Sequence, residues 1–226
     1  RTNFTENLAL MLDRCKRHGA MGAIIFIDLD RFKIINDTLG HAIGDKYLSA
    51  IADRLVAATR KQDLLARWGG DEFVLAIDSV SDQEQVEETL KRLLSLLAEP
   101  ILLAGHELIP TASIGVAFYP PHGRRPADLN KAADTAMYAA KERGGNGYWI
   151  YSKDMVKDFG DKLTLISEIR HAFFEKQFVL VYQPQVDPTT RRVKGVEALA
   201  RWNHPSRGLL TPNHFLPLVE EIGLIG

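Results

Sequence analysis

The sequence predicts an α+β sandwich, a mostly antiparallel sheet with helices packed against it. Three observations predict it. Helix-period segments alternate with pairs of short apolar segments. The run GAIIFIDLD, residues 22–30, is continuously apolar up to Asp28 and Asp30, the pattern of a strand buried on both faces. The stretch ARWGGDEFVLAI, residues 66–77, sets a Gly-Gly pair between two apolar segments, which signals a hairpin.

The elements follow in order. Residues 3–18 read as a helix with Phe4, Leu8, Met11, Leu12 and Cys15 on one face, Asn3 and Glu6 as a capping box, and Gly19 as its stop. The strand at 22–30 comes next, then a short helix over Lys33–Leu39. A longer helix spans about 42–60, with Ile43, Tyr47, Leu48, Ile51 and Leu55 inward. Residues 64–68 and 73–78 pair around Gly69-Gly70. Ser81 and Glu84 form a capping box for a helix running to Ala98. Residues 100–104 and 107–118 form a second strand pair, 126–143 a helix and 148–152 a last strand. From Ser152 the texture changes. A helical stretch, KLTLISEIRHAFFEKQ, leads to apolar segments at 178–187 and 193–202, and an amphipathic segment starts at Pro212. The expected organisation is one domain over 1–152 and a linker helix with part of a second domain over 153–226.

Composition excludes several classes. With 28 basic and 29 acidic side chains, net charge is -1, so bulk charge gives no sign of nucleic acid or an anionic membrane. Cys15 is the single cysteine, so no internal disulfide forms and a reducing, cytoplasmic setting fits. No apolar run approaches the ~20 residues of a membrane span. The abrupt ends at Arg1 and Gly226 read as those of an excised piece, whose parent could carry an anchor or sensor elsewhere.

The chemistry-bearing residues are acidic. Asp28 ends a buried strand, while Asp71 and Glu72 follow the Gly-Gly turn. If the hairpin lies beside that strand, three carboxylates share one sheet end. Oxygen-only donors suit a hard cation such as Mg²⁺, and a Gly-Gly turn lets a phosphate approach the backbone closely. Read alone, the tip serves equally as a solvated turn. Asp28 favours the site, because a carboxylate at the end of an apolar strand is costly unless paired or liganded.

RWGGDEF (67–73) resembles the signature of the GGDEF family, the diguanylate cyclases. The resemblance extends over FIDLDRFKIINDTLGHAIGDKYL (26–48) and AADTAMYAAKERGGNGY (132–148), and so over essentially all of 1–152. It implies a fold like the polymerase palm and the adenylyl cyclase core. The implied reaction joins two GTP into cyclic di-GMP with release of two pyrophosphates, at a homodimer of such domains. It implies Mg²⁺ (or Mn²⁺) on Asp28, the Leu29 carbonyl and Asp71, with Glu72 assisting and Asp71 also activating the 3′-hydroxyl. Asn36 and Asp45 match guanine-reading positions. Lys33, His41 and Lys141 match positions near ribose and phosphates, and Gly69 and Gly70 would pass the phosphates. Away from the resemblance, Asn36 and Asp45 read as helix caps, and Lys33 and Lys141 as solvated lysines. Arg60 and Asp63 resemble the family's RxxD site, where product binds and inhibits, with Arg67 assisting. Gly145 is a departure, at a position that is often basic, and the family's DxLT segment is expected ahead of Arg1, where the sequence starts.

The second half resembles the opening of an EAL domain, the cyclic di-GMP phosphodiesterases, in YQPQV (182–186) and GVEALARW (195–202). Glu197 matches a metal-binding Glu, Arg201 a phosphate-contacting Arg and Gln183 a substrate-proximal position. That fold is a TIM-like barrel of about 250 residues, so about a quarter of it is expected here, without phosphodiesterase activity. The leading expectation is a diguanylate cyclase. The alternative is a GGDEF module that binds GTP or cyclic di-GMP and regulates its EAL neighbour without turnover.

Overall fold

The computed structural model describes residues 2–224, with no side chains described at 156–159, 163 and 221. The chain divides into two compact units, Arg1–Met155 and Val156–Gly226.

The first unit runs α1 (Thr2–His18), β1 (Met21–Leu29), α2 (Phe32–Leu39), α3 (His41–Ala58), β2 (Leu64–Gly69), β3 (Glu72–Val80), α4 (Gln83–Leu97), β4 (Ile101–Leu103), β5 (His106–Leu108), β6 (Ala112–Tyr119), α5 (Pro126–Glu142) and β7 (Gly147–Ile150). Five strands form the main sheet in the order β2-β3-β1-β6-β7. All its neighbours are antiparallel except β6 and β7. The apolar run of β1 explains its central place. Ala23, Ile25, Ile27 and Leu29 pack with Tyr47, Ile51, Leu55, Val86 and Leu90 of α3 and α4. Ile24 and Phe26 pack with Phe4, Leu8, Met11, Leu129 and Ala133 of α1 and α5. A period of two thus feeds two cores, one on each face. Each buried Ile, Leu, Val, Phe or Met side chain among these stabilises the fold by roughly 1.5–3 kcal/mol.

Three local expectations need correction. Asn3 lies inside α1 rather than capping it, and its side chain accepts from Asn7 Nδ2. The box at α4 sits one residue later: Asp82 Oδ1 accepts Gln85 N–H at 2.9 Å, and Gln85 Oε1 accepts Ser81 N–H at 2.9 Å. A charged cap suits the positive end of the helix better than the hydroxyl of Ser81. The strand expected over 107–118 is two. His106–Leu108 folds back on β4 through Ala104 and Gly105, both at positive φ, and β6 starts only at Ala112. Pro110 falls between them and has no N–H for a ladder.

The second unit contains most of α6 (Lys153–Phe174), then β8 (Phe178–Val186), β9 (Val193–His204), β10 (Gly208–Leu210) and α7 (Pro212–Glu221). Strand β10 has no counterpart in the sequence reading. The three strands pair antiparallel in the order β10-β9-β8. Their core gathers Leu165, Ile169, Ala172, Trp202, Phe215 and Val219.

Candidate active site at the end of the central strand

Register places the acids. Asp28 faces Glu72 across β1 and β3, and Ser113 across β1 and β6. Asp71 lies in the turn before β3, and its carbonyl accepts the Leu29 N–H at 3.3 Å. That turn needs Gly70, whose φ is +54°, and open space lies where its Cβ would stand. Asp28, Leu29, Asp71 and Glu72 therefore share one sheet end, with Gly69 and Gly70 beside them.

Asp28 is 4% exposed. Its Oδ2 lies 2.7 Å from Lys141 Nζ in the last turn of α5. Burial raises its carboxyl to about 6, against the hydrogen bond and charge of Lys141, and the charges of Asp71 and Glu72 push it up further. Lys141 reaches Asp28 because α5 lies directly on β6. A Cβ on Gly115 would run into the α5 backbone at Ala133 and Met137. The lysine is thus an ion-pair partner of the buried acid, with its own side chain still 39% exposed.

Among the described residues, no three His, Cys, Asp or Glu side chains gather closely enough to hold a metal ion. The convergence expected of three carboxylates is one of backbone positions, and Lys141 holds the Asp28 carboxylate. The donor set itself, two or three carboxylates and a backbone carbonyl with no sulfur or imidazole, fits a hard divalent cation.

A second cluster lies on α2 and α3. A Cβ on Gly44 would meet the Asn36 side chain, so the two helices approach closely there, next to Asp45. No side chain caps the start of α2 or α3, so the capping alternative for Asn36 and Asp45 finds no bond. Asp45 lines an open groove of about 490 Å³ with Leu48, Leu65, Arg67 and Phe73. Lys33 and His41 stand exposed on α2 and at the head of α3. Among the described residues, no hydrogen bond or ion pair joins them to the acids.

Arg60 and Asp63 close a turn on themselves. Asp63 Oδ2 accepts the Arg60 N–H at 2.9 Å, and the Arg60 carbonyl accepts the Asp63 N–H at 3.0 Å. Asp63 Oδ1 is buried without a hydrogen-bond partner, and Arg60 is exposed. Arg67 Nε donates to the Gly70 carbonyl at 2.9 Å, bracing the signature turn. In the second unit, Gln183 pairs directly with Glu197, and Arg201 lies four residues on along β9, on the same face.

Sequence reasoning left Asp30, Ser113 and Asn146 without a role. Asp30 Oδ1 accepts from the buried Ser113 hydroxyl at 2.6 Å, and its Oδ2 accepts the Asn146 N–H at 2.9 Å. The alternation of Asp28 and Asp30 was the available signal; the partner turn, more than a hundred residues away, was not visible.

This geometry defines a palm-like α+β domain with an acidic strand end. The family model for "Diguanylate cyclase, GGDEF domain" matches residues 1–147, and that for the EAL domain matches 166–226. The chain belongs to the GGDEF family, here followed by the N-terminal part of an EAL domain. It is 43% identical over 220 residues to the bifunctional diguanylate cyclase/cyclic di-GMP phosphodiesterase MucR of Pseudomonas aeruginosa, covering 97% of this chain and 32% of that protein. It is 38% identical over 225 residues to the cyclic di-GMP phosphodiesterase NbdA of the same organism, covering 100% of this chain and 29% of that protein. The chain therefore spans about a third of the length of these relatives. Among solved structures, a GGDEF-only form of PA1120 (TpbB or YfiN) from P. aeruginosa matches with TM-score 0.69 and 35% identity, covering 71% of this chain and 94% of that one. The chain is thus a module of cyclic di-GMP signalling. Among the described residues, no helix is long and apolar enough to cross a membrane.

Proposed function

We propose that the first unit is a diguanylate cyclase, condensing two GTP into cyclic di-GMP with release of two pyrophosphates. The observation that carries this reading is the placement of Asp28, Leu29, Asp71 and Glu72 at one strand end, with Lys141 2.7 Å from the buried Asp28 carboxylate. Asp28, the Leu29 carbonyl, Asp71 and Glu72 would hold Mg²⁺ or Mn²⁺. Such an ion supplies charge neutralisation for the triphosphate and acidifies the attacking hydroxyl.

The chain's own residues do the rest. Asn36 and Asp45 accept from the guanine ring N–H and amino group beside the α3 groove. Lys33, His41 and Lys141 hold the ribose and phosphates, and the Gly69-Gly70 backbone lets the phosphates pass. Asp71 takes the proton of the 3′-hydroxyl. That oxygen forms a bond to the α-phosphorus of the other GTP, the α–β bridging P–O bond breaks, and pyrophosphate leaves. Two such bonds close the product ring, so two domains meet face to face and a monomer is inactive. Positioning and charge stabilisation account for the rate. Product returns to Arg60 and Asp63, with the exposed Arg60 offering its guanidinium to phosphate or the guanine edge and Arg67 assisting.

A second reading has two observations in its favour. Gly145 stands where the family often has a basic residue, and NbdA, 38% identical, is named a phosphodiesterase alone. On that reading the unit binds GTP or cyclic di-GMP and regulates an EAL neighbour. Incubating the chain with GTP and Mg²⁺ beside an Asp71→Ala control decides. Cyclic di-GMP that vanishes in the control supports the cyclase; GTP binding without product supports the regulatory module.

A further inference from the structure

We propose that Asp30 is a positioning residue that clamps the turn after α5 onto the end of β1, and so holds Lys141 against Asp28. The proposal deepens the cyclase reading and rests on it for its effect on turnover.

The clamp has three arms. Through its own backbone, Asp30 follows Leu29 directly and donates its N–H to the Thr111 carbonyl at 2.9 Å, next to β6. Its Oδ1 takes the Ser113 hydroxyl at 2.6 Å, and Ser113 is fully buried. Its Oδ2 takes the Asn146 N–H at 2.9 Å, on the far side of α5. The turn it grips is fastened in turn to the helix end. Gly145 N–H donates to the Ala140 carbonyl at 3.1 Å, and Gly144 N–H to the Lys141 carbonyl at 3.1 Å. Pulling on Asn146 therefore pulls on the backbone of Lys141 itself.

Gly144, Gly145 and Asn146 all have positive φ, at +106°, +70° and +47°. A Cβ on Gly145 would stand 2.9 Å from Asp30 Oδ2. Gly145 thus lets the turn close directly over the carboxylate. This gives the glycine a structural reason at the position where the family resemblance leads one to expect a basic side chain.

A clamp and a charge make different demands on residue 30. Asparagine preserves a clamp: its oxygen accepts the Asn146 N–H, and its amide N–H donates to the Ser113 oxygen. It does not preserve a carboxylate needed as a charge or a ligand. The test compares Asp30→Ala, Asp30→Asn and Lys141→Ala in the full chain, reading amide hydrogen exchange and cyclic di-GMP formation. Expected for Asp30→Ala is about tenfold or greater acceleration of exchange at Asn146, with Ile25 unchanged, and about tenfold lower kcat/KM, the scale of a lost buried hydrogen bond. Expected for Asp30→Asn is wild-type behaviour within about threefold in both readouts. Expected for Asp30→Ala with Lys141→Ala is a rate no lower than that of Lys141→Ala alone. Unchanged exchange at Asn146 in Asp30→Ala overturns the clamp. So does an asparagine variant as damaged as the alanine one, or effects of the two sites that multiply. The exchange arm needs no turnover. A wild-type chain that makes no product therefore overturns the cyclase reading, while the clamp is still decided at Asn146.

Discussion

Strands β1 and β8 are each nine residues long and each draws on an apolar run, yet they end in opposite surroundings. Everything from Gly22 to Leu29 in β1 is buried. In β8, Val179, Leu180, Tyr182 and Val186 are 41–62% exposed. The first is the middle strand of five, with a helical layer on each face. Among the described residues, the second is the edge of a three-stranded sheet, and Phe178 is its one residue packed on the core, beside Trp202 and Phe215. Apolar character makes a strand in both places. How much that strand stabilises depends on what covers it.

The sharpest way to break this comparison is functional. If the chemistry belongs to the covered strand end alone, Asp71→Ala lowers cyclic di-GMP formation by roughly 10²–10⁴-fold, the range for a lost general base. Glu197→Ala on β9 should leave that rate unchanged. A matching loss in both variants would place turnover in the cooperation of the two units.

Stability comes next. Ile25→Ala empties a fully buried position and is expected to cost about 2–5 kcal/mol in urea unfolding. Leu180→Ala, at a side chain 57% exposed, should stay within about 0.5 kcal/mol of wild type. Equal costs would mean that β8 is covered in solution.

Glycines sharpen the contrast further. On Gly115 a Cβ would strike the α5 backbone, so Gly115→Ala is expected to cost about 1–3 kcal/mol or more. It should also lower GTP turnover, because α5 carries Lys141. Gly195 in β9 has only Gln185 Oε1 near its missing Cβ, at 3.7 Å. Gly195→Ala should be neutral or stabilising by up to about 1 kcal/mol. Thermal melts of the two variants check both expectations.

Much of this was legible in the sequence because it is local. The two-faced burial of β1, the Gly-Gly turn and the inner stripes of α1 and α3 follow from spacing. The placement of Asp28, Asp71 and Glu72 at one sheet end also needed the hairpin to lie beside β1, a condition the sequence leaves open and the register meets. What was not legible depends on partners distant in sequence. Lys141 reads as solvated until α5 lies on Gly115. Asp30 reads as a strand end until Ser113 and the Asn146 turn close on it. The split between β5 and β6 was locally marked by Pro110, but the run around it was apolar enough to pass for one strand.

The smallest effect is acid titration. Asp78 of β3 accepts from Arg14 of α1 at 3.0 Å through Nε and 2.7 Å through Nη2, and from the Ser79 hydroxyl at 2.8 Å. Burial works to raise its carboxyl, but the hydrogen bonds from Arg14, Ser79 and Cys15 and the charge of Arg14 outweigh it, and the net shift is downward. A depressed folded value binds fewer protons than the unfolded chain. The stabilisation is therefore complete above the ordinary Asp value of about 3.9 and is lost as pH falls through the depressed folded one. Arg14 is 44% exposed, so solvent screening limits the effect to about 1 kcal/mol or less. In the second unit, Asp187 is lowered to about 2 by Lys194 and the N–H groups of Thr190 and Thr189. Its loss therefore extends down toward pH 2. Urea midpoints between pH 5 and 2 read both, with Arg14→Leu removing the steepness that belongs to Asp78 and Lys194→Leu that of Asp187. If Arg14→Leu leaves the pH slope unchanged, the ion pair between α1 and β3 does not contribute, and apolar packing of Phe4, Leu8, Met11, Leu12 and Cys15 holds α1 to the sheet.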